Sequence, residues 1–310
     1  MITVPGQAGR PEPWADPTSV PDRRVGLDPV LDIGSYYQDL TAHYLKYAEG
    51  TLGWHYGIWD PDVTTHAQAL LRSNETLVRG IELGARSHVL DVGCGVGGFA
   101  IWAAQRFGCR VTGLTVCPEH ARFARELAEK RNVEDRCRFS VMDMDELGFT
   151  AGSFDAIINQ DTFCHAADKR AYLAGVHRLL RPGGVWRALD FSIHSSSLAV
   201  GERGEYNVVR DGFKIPSLLP AFEVQRLLDE LNFVDSHARD VTSKVLPTAA
   251  HIIRHSRIPL WLMRSRLDWL FFSRDPQRRR NHQGHFRAGM AYSKGLQAGY
   301  FRYCYYSGSR

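Results

Sequence analysis

The run His88-Val89-Leu90-Asp91-Val92-Gly93-Cys94-Gly95-Val96-Gly97-Gly98 decides how the rest of the chain is read. A short apolar segment bounded by glycines reads as a buried strand. The glycines open a helical pattern, and strand, glycine loop, helix is the context that makes Gly-x-Gly-x-x-Gly informative, because glycine permits a tight turn and close approach of backbone to a ligand. Downstream the alternation continues. Helices are predicted at 98–106, 118–130 and 169–180, and strands at 110–114, 138–142, 154–158 and 184–191. Short β-rich runs alternating with longer helical ones imply βαβ units and a parallel sheet, with ligands beyond the carboxyl ends of the strands.

Working outward, residues 1–34 hold six of the 14 prolines and little apolar surface, which predicts a flexible leader. Helical spacing is found over Ile33–Glu49 and His66–Leu83, giving a helical cap over 35–83 ahead of the core at 84–195. Between those helices, Gly53-Trp54-His55-Tyr56-Gly57-Ile58-Trp59 is too aromatic for a linker and too glycine-broken for a helix, so a loop over a pocket is expected. After Ser192 the alternation loosens. A Ser/Gly-rich stretch runs to Gly204, an aromatic and basic one spans 206–214, and a helix follows near 221–231. Two late strands, 233–241 and 300–306, are separated by a long helical, arginine-rich insertion, so residues 196–310 read as a substrate lid plus the final strands.

At 44% hydrophobic and 23% charged the composition is globular, which excludes a disordered or fibrous chain. The longest apolar runs, 258–263 and 269–272, are too short for a membrane span, and no signal peptide is visible. Six cysteines without a C-x-x-C pair indicate neither a zinc site nor a disulfide framework, so a reducing cytoplasm is expected. A homo-oligomer is compatible with the sequence. The net charge of +4 is uneven: residues 251–310 carry twelve Lys and Arg against Asp268 and Asp275. Such a concentration reads either as a solvated face or as a polyanion site.

The glycine motif by itself leaves dinucleotides and S-adenosylmethionine open. Asp91, two residues before the first glycine, suits an ammonium group and would repel a pyrophosphate, which favours the methyl donor. Together with Leu179-Leu180-Arg181-Pro182-Gly183-Gly184 before the fifth strand, the motif resembles class I S-adenosylmethionine-dependent methyltransferases. Tyr36-Tyr37, the His55–Trp59 loop and Gly113-Leu114-Thr115 resemble, more narrowly, the sterol, tocopherol and prenyl-diphosphate C-methyltransferase group. The resemblance implies a Rossmann-like, mostly parallel α/β sheet of seven strands, with an N-terminal helical cap and a helical lid inserted before the last strand. It implies cofactor contacts from Tyr36, Tyr37, Asp91, Gly93, Cys94, Gly95 and Asn159, from Asp143 and Met144 beside the adenine, and from Leu114, Thr115 and His120 at the ribose. Thr115 departs from the Asp or Glu that many class I enzymes place there. That absence also argues against NAD.

The fourth strand leads into Asp161 and His165, at the edge where ligands of open α/β sheets sit. An acid-x-x-x-His spacing is found in the resembling group, and both residues are candidate catalytic groups. Methylation of an alkene leaves a carbocation, and Asp161 is the expected base for its proton. The other readings of Asp161 are a cap for the helix near Lys169 or a partner for Arg170. Trp54, Tyr56, Trp59 and Phe163 are candidate aromatic walls. The basic end then suggests a prenyl diphosphate, held by Arg210, Arg254, Arg257 and Arg279 together with Tyr206, His251, His255 and Lys214, with Mg²⁺ brought by the diphosphate. The expected reaction is C-methylation of that diphosphate. The alternatives are O- or N-methylation of a small natural product, with His165 as base, and an RNA methyltransferase using Arg302-Tyr303-Cys304-Tyr305-Tyr306; no nucleic-acid partner is expected.

Overall fold

A computed structural model of the chain describes residues 33–47, 50–264 and 273–310. The leader expected over 1–34 therefore lies outside the described residues except for Ile33 and Gly34, which open a helix, and so does the apolar run 269–272.

In chain order the elements are α1 (Ile33–Tyr47), α2 (His66–Val78), β1 (His88–Val92), α3 (Gly98–Phe107), β2 (Arg110–Thr115), α4 (Pro118–Lys130) and β3 (Cys137–Val141). There follow β4 (Phe154–Gln160), α5 (Lys169–Leu179), β5 (Leu180–Ile193), α6 (Val200–Phe213), α7 (Ala221–Glu230), β6 (Val234–Asp240), α8 (Thr242–Leu262), α9 (Pro276–Ala298) and β7 (Phe301–Ser309). The sheet has seven strands in the order β3-β2-β1-β4-β5-β7-β6. Strands β1 to β5 pair in parallel, whereas β7 runs antiparallel between β5 and β6. This is the expected α/β architecture. The chain order reverses beside β1, so the carboxyl ends of β1 and β4 border the crevice where such sheets bind ligands.

Local chemistry sets the boundaries. Thr65 and Gln68 form a reciprocal capping box at the start of α2, which ends at Val78, five residues before the expected Leu83. Gly97, at φ 86°, caps α3 in the left-handed conformation that glycine adopts without strain. The Asp168 carboxylate accepts the Ala171 N–H at 2.9 Å and caps α5, so Asp161 is not that cap; Arg170 pairs with Glu230 instead.

Two apolar layers sandwich the sheet. Leu90, Ile157, Phe163, Tyr172, Trp186 and Tyr306 pack on one face, and Val89, Phe99, Val111, Ile158, Leu189 and Tyr303 on the other. The stretch 200–213, read as the end of a Ser/Gly-rich run followed by an aromatic and basic one, is a helix. It crosses α9 closely: a Cβ on Gly212 would lie 2.3 Å from the Gly284 carbonyl oxygen, so only glycine allows this approach. Helices α6, α8 and α9 thereby form the lid, inserted around β6 and before β7.

Candidate active site

A cavity of about 470 Å³ opens beyond the carboxyl ends of β1, β2 and β4 and extends under the lid. Its floor is the glycine loop. Gly93 and Gly95 both hold positive φ, 79° and 52°. A Cβ on Gly93 would meet Thr162 Cγ2 at 2.3 Å, whereas one on Gly95 would point into open space, the hollow a ligand would occupy.

Asp91 lies at the base of this hollow, 3% exposed, with its Oδ2 buried and without a hydrogen-bond partner. Burial pushes its carboxyl up to about 7, against a smaller pull from the Ala100 backbone. A buried carboxylate oxygen without a donor is costly, and an ammonium group arriving there would satisfy it. The residues present therefore fit the amino-acid end of S-adenosylmethionine. Tyr36, Tyr37, Cys94, Leu114, Thr115, His120, Asp143 and Met144 also line the cavity. Several already have work within the chain. Thr115 Oγ1 accepts the Cys117 N–H at 3.2 Å, His120 Nε2 lies 2.9 Å from Thr41 Oγ1, and Asp143 accepts the Asp145 N–H at 3.0 Å. Burial lowers the His120 imidazole to about 4, leaving it uncharged at neutral pH.

Asn159 is displaced from its expected role. Its side chain faces the opposite side of the sheet, where Oδ1 accepts from the Tyr172 hydroxyl and the Trp186 indole and Nδ2 donates to Thr162. Successive strand residues alternate faces, so it is Gln160 that reaches the cavity. Phe163 is likewise buried on that far face, against Tyr172, Trp186 and Tyr306.

Asp161 and His165 both border the cavity. Asp161 sits at φ 53°, and each carboxylate oxygen has a donor: the Tyr303 hydroxyl at 2.6 Å on Oδ1 and the Tyr56 N–H at 3.0 Å on Oδ2. Burial and then the neighbouring Asp190 push its carboxyl well up, with the two donors pulling the other way. Burial also raises Asp190, to about 6. His165 Nε2 lies 2.9 Å from the Tyr37 hydroxyl. Burial, and secondarily Lys169, lowers the His165 imidazole to about 4, offset in part by the Lys214 backbone.

The upper walls are aromatic and imidazole. Trp54 packs 5.7 Å from His285, whose Nδ1 lies 2.7 Å from the Tyr36 hydroxyl. The rings of His66, His251 and His255 stack at 4.4 and 3.9 Å, and His255 Nδ1 donates to the His251 carbonyl at 2.8 Å. Tyr56 contributes to the wall and is fixed by Ser293 at 2.9 Å. His66, Phe213 and His285 are wall residues that the sequence reading missed, and it missed the pairing of the Tyr303 hydroxyl with Asp161. The helical position of His66 and His285 and the strand position of Tyr303 are visible in the sequence, that of Phe213 is not, and the face each turns inward is set by packing.

The expected diphosphate clamp does not form. Among the described residues no lysine or arginine lines the cavity. Arg254 and Arg257 are exposed, Arg210 pairs with Asp211, and Arg279 donates to the Ser273 and Arg274 carbonyls. Lys214 is likewise absent from the lining, and Tyr206 is turned into the lid, where its hydroxyl accepts the Leu218 N–H. No group of His, Cys, Asp and Glu among the described residues could hold a metal ion. The basic insertion gives the cavity His251, His255 and His285 but none of its described arginines.

With this geometry in view, comparison with known proteins places the chain. Residues 89–184 match the methyltransferase domain family. The chain is 36% identical over 167 residues to the methyltransferase GfsG of Streptomyces halstedii, a match covering 53% of this chain and 59% of that protein. It is 30% identical over 195 residues to the 27-O-demethylrifamycin SV methyltransferase of Amycolatopsis mediterranei, covering 63% of this chain and 71% of that one. The fold also superposes, with a TM-score of 0.66 over 91% of this chain and 98% of the other, on geranyl diphosphate C-methyltransferase from Streptomyces coelicolor, solved with Mg²⁺, geranyl diphosphate and S-adenosylhomocysteine; identity there is 18%. The chain belongs to the class I S-adenosylmethionine-dependent methyltransferases.

Proposed function

We propose that the protein transfers a methyl group from S-adenosylmethionine to an uncharged, largely apolar small molecule bearing a hydroxyl or enol oxygen. The observation that carries this reading is the lining of the cavity: aromatic and imidazole walls above an Asp91-based donor site, with no cationic side chain among the described residues. A prenyl diphosphate would bring a dense negative charge into a wall that offers it no guanidinium or ammonium, and desolvating it there would be unfavourable. The relative named as a 27-O-demethylrifamycin SV methyltransferase supports the same substrate class.

When bound, S-adenosylmethionine supplies an electrophilic methyl group on sulfur. Asp91 receives the ammonium end, Gly93 and Gly95 leave the space, and Trp54, Tyr56 and His285 hold the acceptor. Alignment of acceptor and donor is itself the larger part of the rate enhancement. Tyr37 and His165 form the proton-carrying pair at the reaction edge, since the His165 imidazole is uncharged at neutral pH. Asp161, with both oxygens engaged, anchors the Tyr56 loop to β7.

The test is incubation with methyl-labelled S-adenosylmethionine and paired acceptors: phenolic and enolic natural products, prenyl alcohols, and the corresponding prenyl diphosphates, with products identified by mass spectrometry. Label is expected on oxygen of uncharged acceptors. Turnover of a prenyl diphosphate with none of any uncharged acceptor overturns the reading.

A further inference from the structure

Helix α8 has two opposed faces. Thr248, His251, Ile252, His255 and Ser256 line the cavity. The reverse face carries Arg254, Arg257, Ile258 and Trp261, spaced i, i+3, i+4 and i+7, with Arg264 just beyond the helix end. All five are exposed, Ile258 by 69% and Trp261 by 70%. Residues at that spacing share one stripe of a helix, so the apolar pair is flanked by arginines. Neither α8 nor α9 contains a single Asp or Glu, while α9 adds Arg278, Arg279, Arg280, Arg287 and Lys294. The outer face of α8 is thus cationic around an exposed tryptophan and isoleucine.

We propose that this outer face of α8 docks on an anionic lipid bilayer. Tryptophan is at home at headgroup depth, where its ring is half in the apolar layer and its N–H in the wet one. The arginines beside it would meet lipid phosphates, each contributing about 1 kcal/mol near such a surface. A protein partner is a poorer fit: a stable protein interface covers about 800 Å² per side, and among the described residues the face is one helix with two exposed apolar side chains. Docking through one helix face is a peripheral attachment, and no helix among the described residues is long and apolar enough to cross a membrane. The opposite face of the same helix walls the cavity, which places the lipid surface next to the compartment that would receive an apolar acceptor. The docking itself does not depend on which reaction occurs there.

The test is sedimentation of the full chain with vesicles of phosphatidylglycerol and phosphatidylcholine, against vesicles of phosphatidylcholine alone, at low and high salt. Binding is expected only with phosphatidylglycerol and is weakened by salt. The triple variant R254Q/R257Q/R264Q is expected to bind about 100-fold more weakly, from three arginines at about 1 kcal/mol each. The pair I258S/W261S is expected to lose binding as well. Because these side chains are exposed, thermal melting and S-adenosylhomocysteine affinity are expected to be unchanged in both variants. Absence of sedimentation with phosphatidylglycerol overturns the proposal, whether or not an acidic protein binds the same face. Equal binding to both vesicle types, or variants that sediment like the wild type, overturns it too.

Discussion

Replacing Asp91 with asparagine is expected to make the free protein more stable and the cofactor complex weaker. In the folded chain burial lifts the carboxyl to about 7, from 3.8. The group thus binds its proton more tightly folded than unfolded, and ionising it opposes folding. That cost is absent below about pH 4, grows as the pH rises towards 7, and is complete above it. Three units of difference correspond to about 4 kcal/mol. Asparagine keeps the shape and never ionises, so at pH 8 the variant is expected to unfold at higher denaturant concentration, with the advantage vanishing near pH 4. The same change removes the partner for an ammonium group. Truncating one member of a buried charge pair costs about 2 kcal/mol or more, so S-adenosylhomocysteine should bind at least about 30-fold more weakly. Urea unfolding across that pH range, paired with titration calorimetry, reads both effects. A variant that is less stable at pH 8, or that binds S-adenosylhomocysteine as tightly as the wild type, refutes the reasoning.

Gly95→Val, whose side chain would project into the open hollow, should abolish S-adenosylhomocysteine binding in calorimetry; undiminished affinity would place the cofactor elsewhere. His165→Gln should lower kcat by about 10²- to 10⁴-fold for weakly acidic phenols and much less for strongly acidic ones, as expected when a proton acceptor is lost. Because the His165 imidazole is held at about 4 against 6.5, its burial opposes folding increasingly as the pH falls from 6.5 to 4, so His165→Gln should also blunt acid unfolding by up to about 3 kcal/mol. Asp161→Asn should leave kcat within about tenfold, and a loss of 10² or more would return the base to Asp161. Gly212→Ala should destabilise the fold by about 1–3 kcal/mol in urea titration, since its methyl group meets the Gly284 carbonyl.

The parallel sheet was legible because its determinants are local. Alternating apolar runs, the glycines at 93–98 and the acid at 91 declare a strand end and a ligand-binding turn within a dozen residues. The helical lid before the last strand was legible too, but not which of its side chains face the cavity, because facing is decided at long range. Charge counting located a basic segment at 251–310, but only the packing of α8 against α9 and β7 decides that His251 and His255 turn inward and Arg254 and Arg257 outward. Helix α6 was hidden by Gly201 and Gly204, residues poor at forming helices in isolation, and its stability comes from the close crossing at Gly212 and Gly284. Asn159 stands one strand position before Gln160 and so turns to the other face, whereas Asp161, at φ 53° just past the strand end, falls outside that alternation. The partnership of Tyr56, Asp161 and Tyr303 joins residues 105 and 142 positions apart, and no local pattern announces such a meeting.

That meeting has a consequence for the order in which the protein is made. Strand β6 has no neighbour in the sheet except β7, and Asp161 acquires its hydroxyl donor from β7 as well. Until residues 301–309 emerge from the ribosome, β5 presents an unpaired edge, β6 has nothing to pair with, and the floor of the aromatic loop lacks its second tether. A growing chain thus has the strands and side chains that hold the cofactor turn only once Thr162 is made, and its acceptor chamber is still open then; the exposed β5 edge is the place where a stalled chain would be most prone to pair with another.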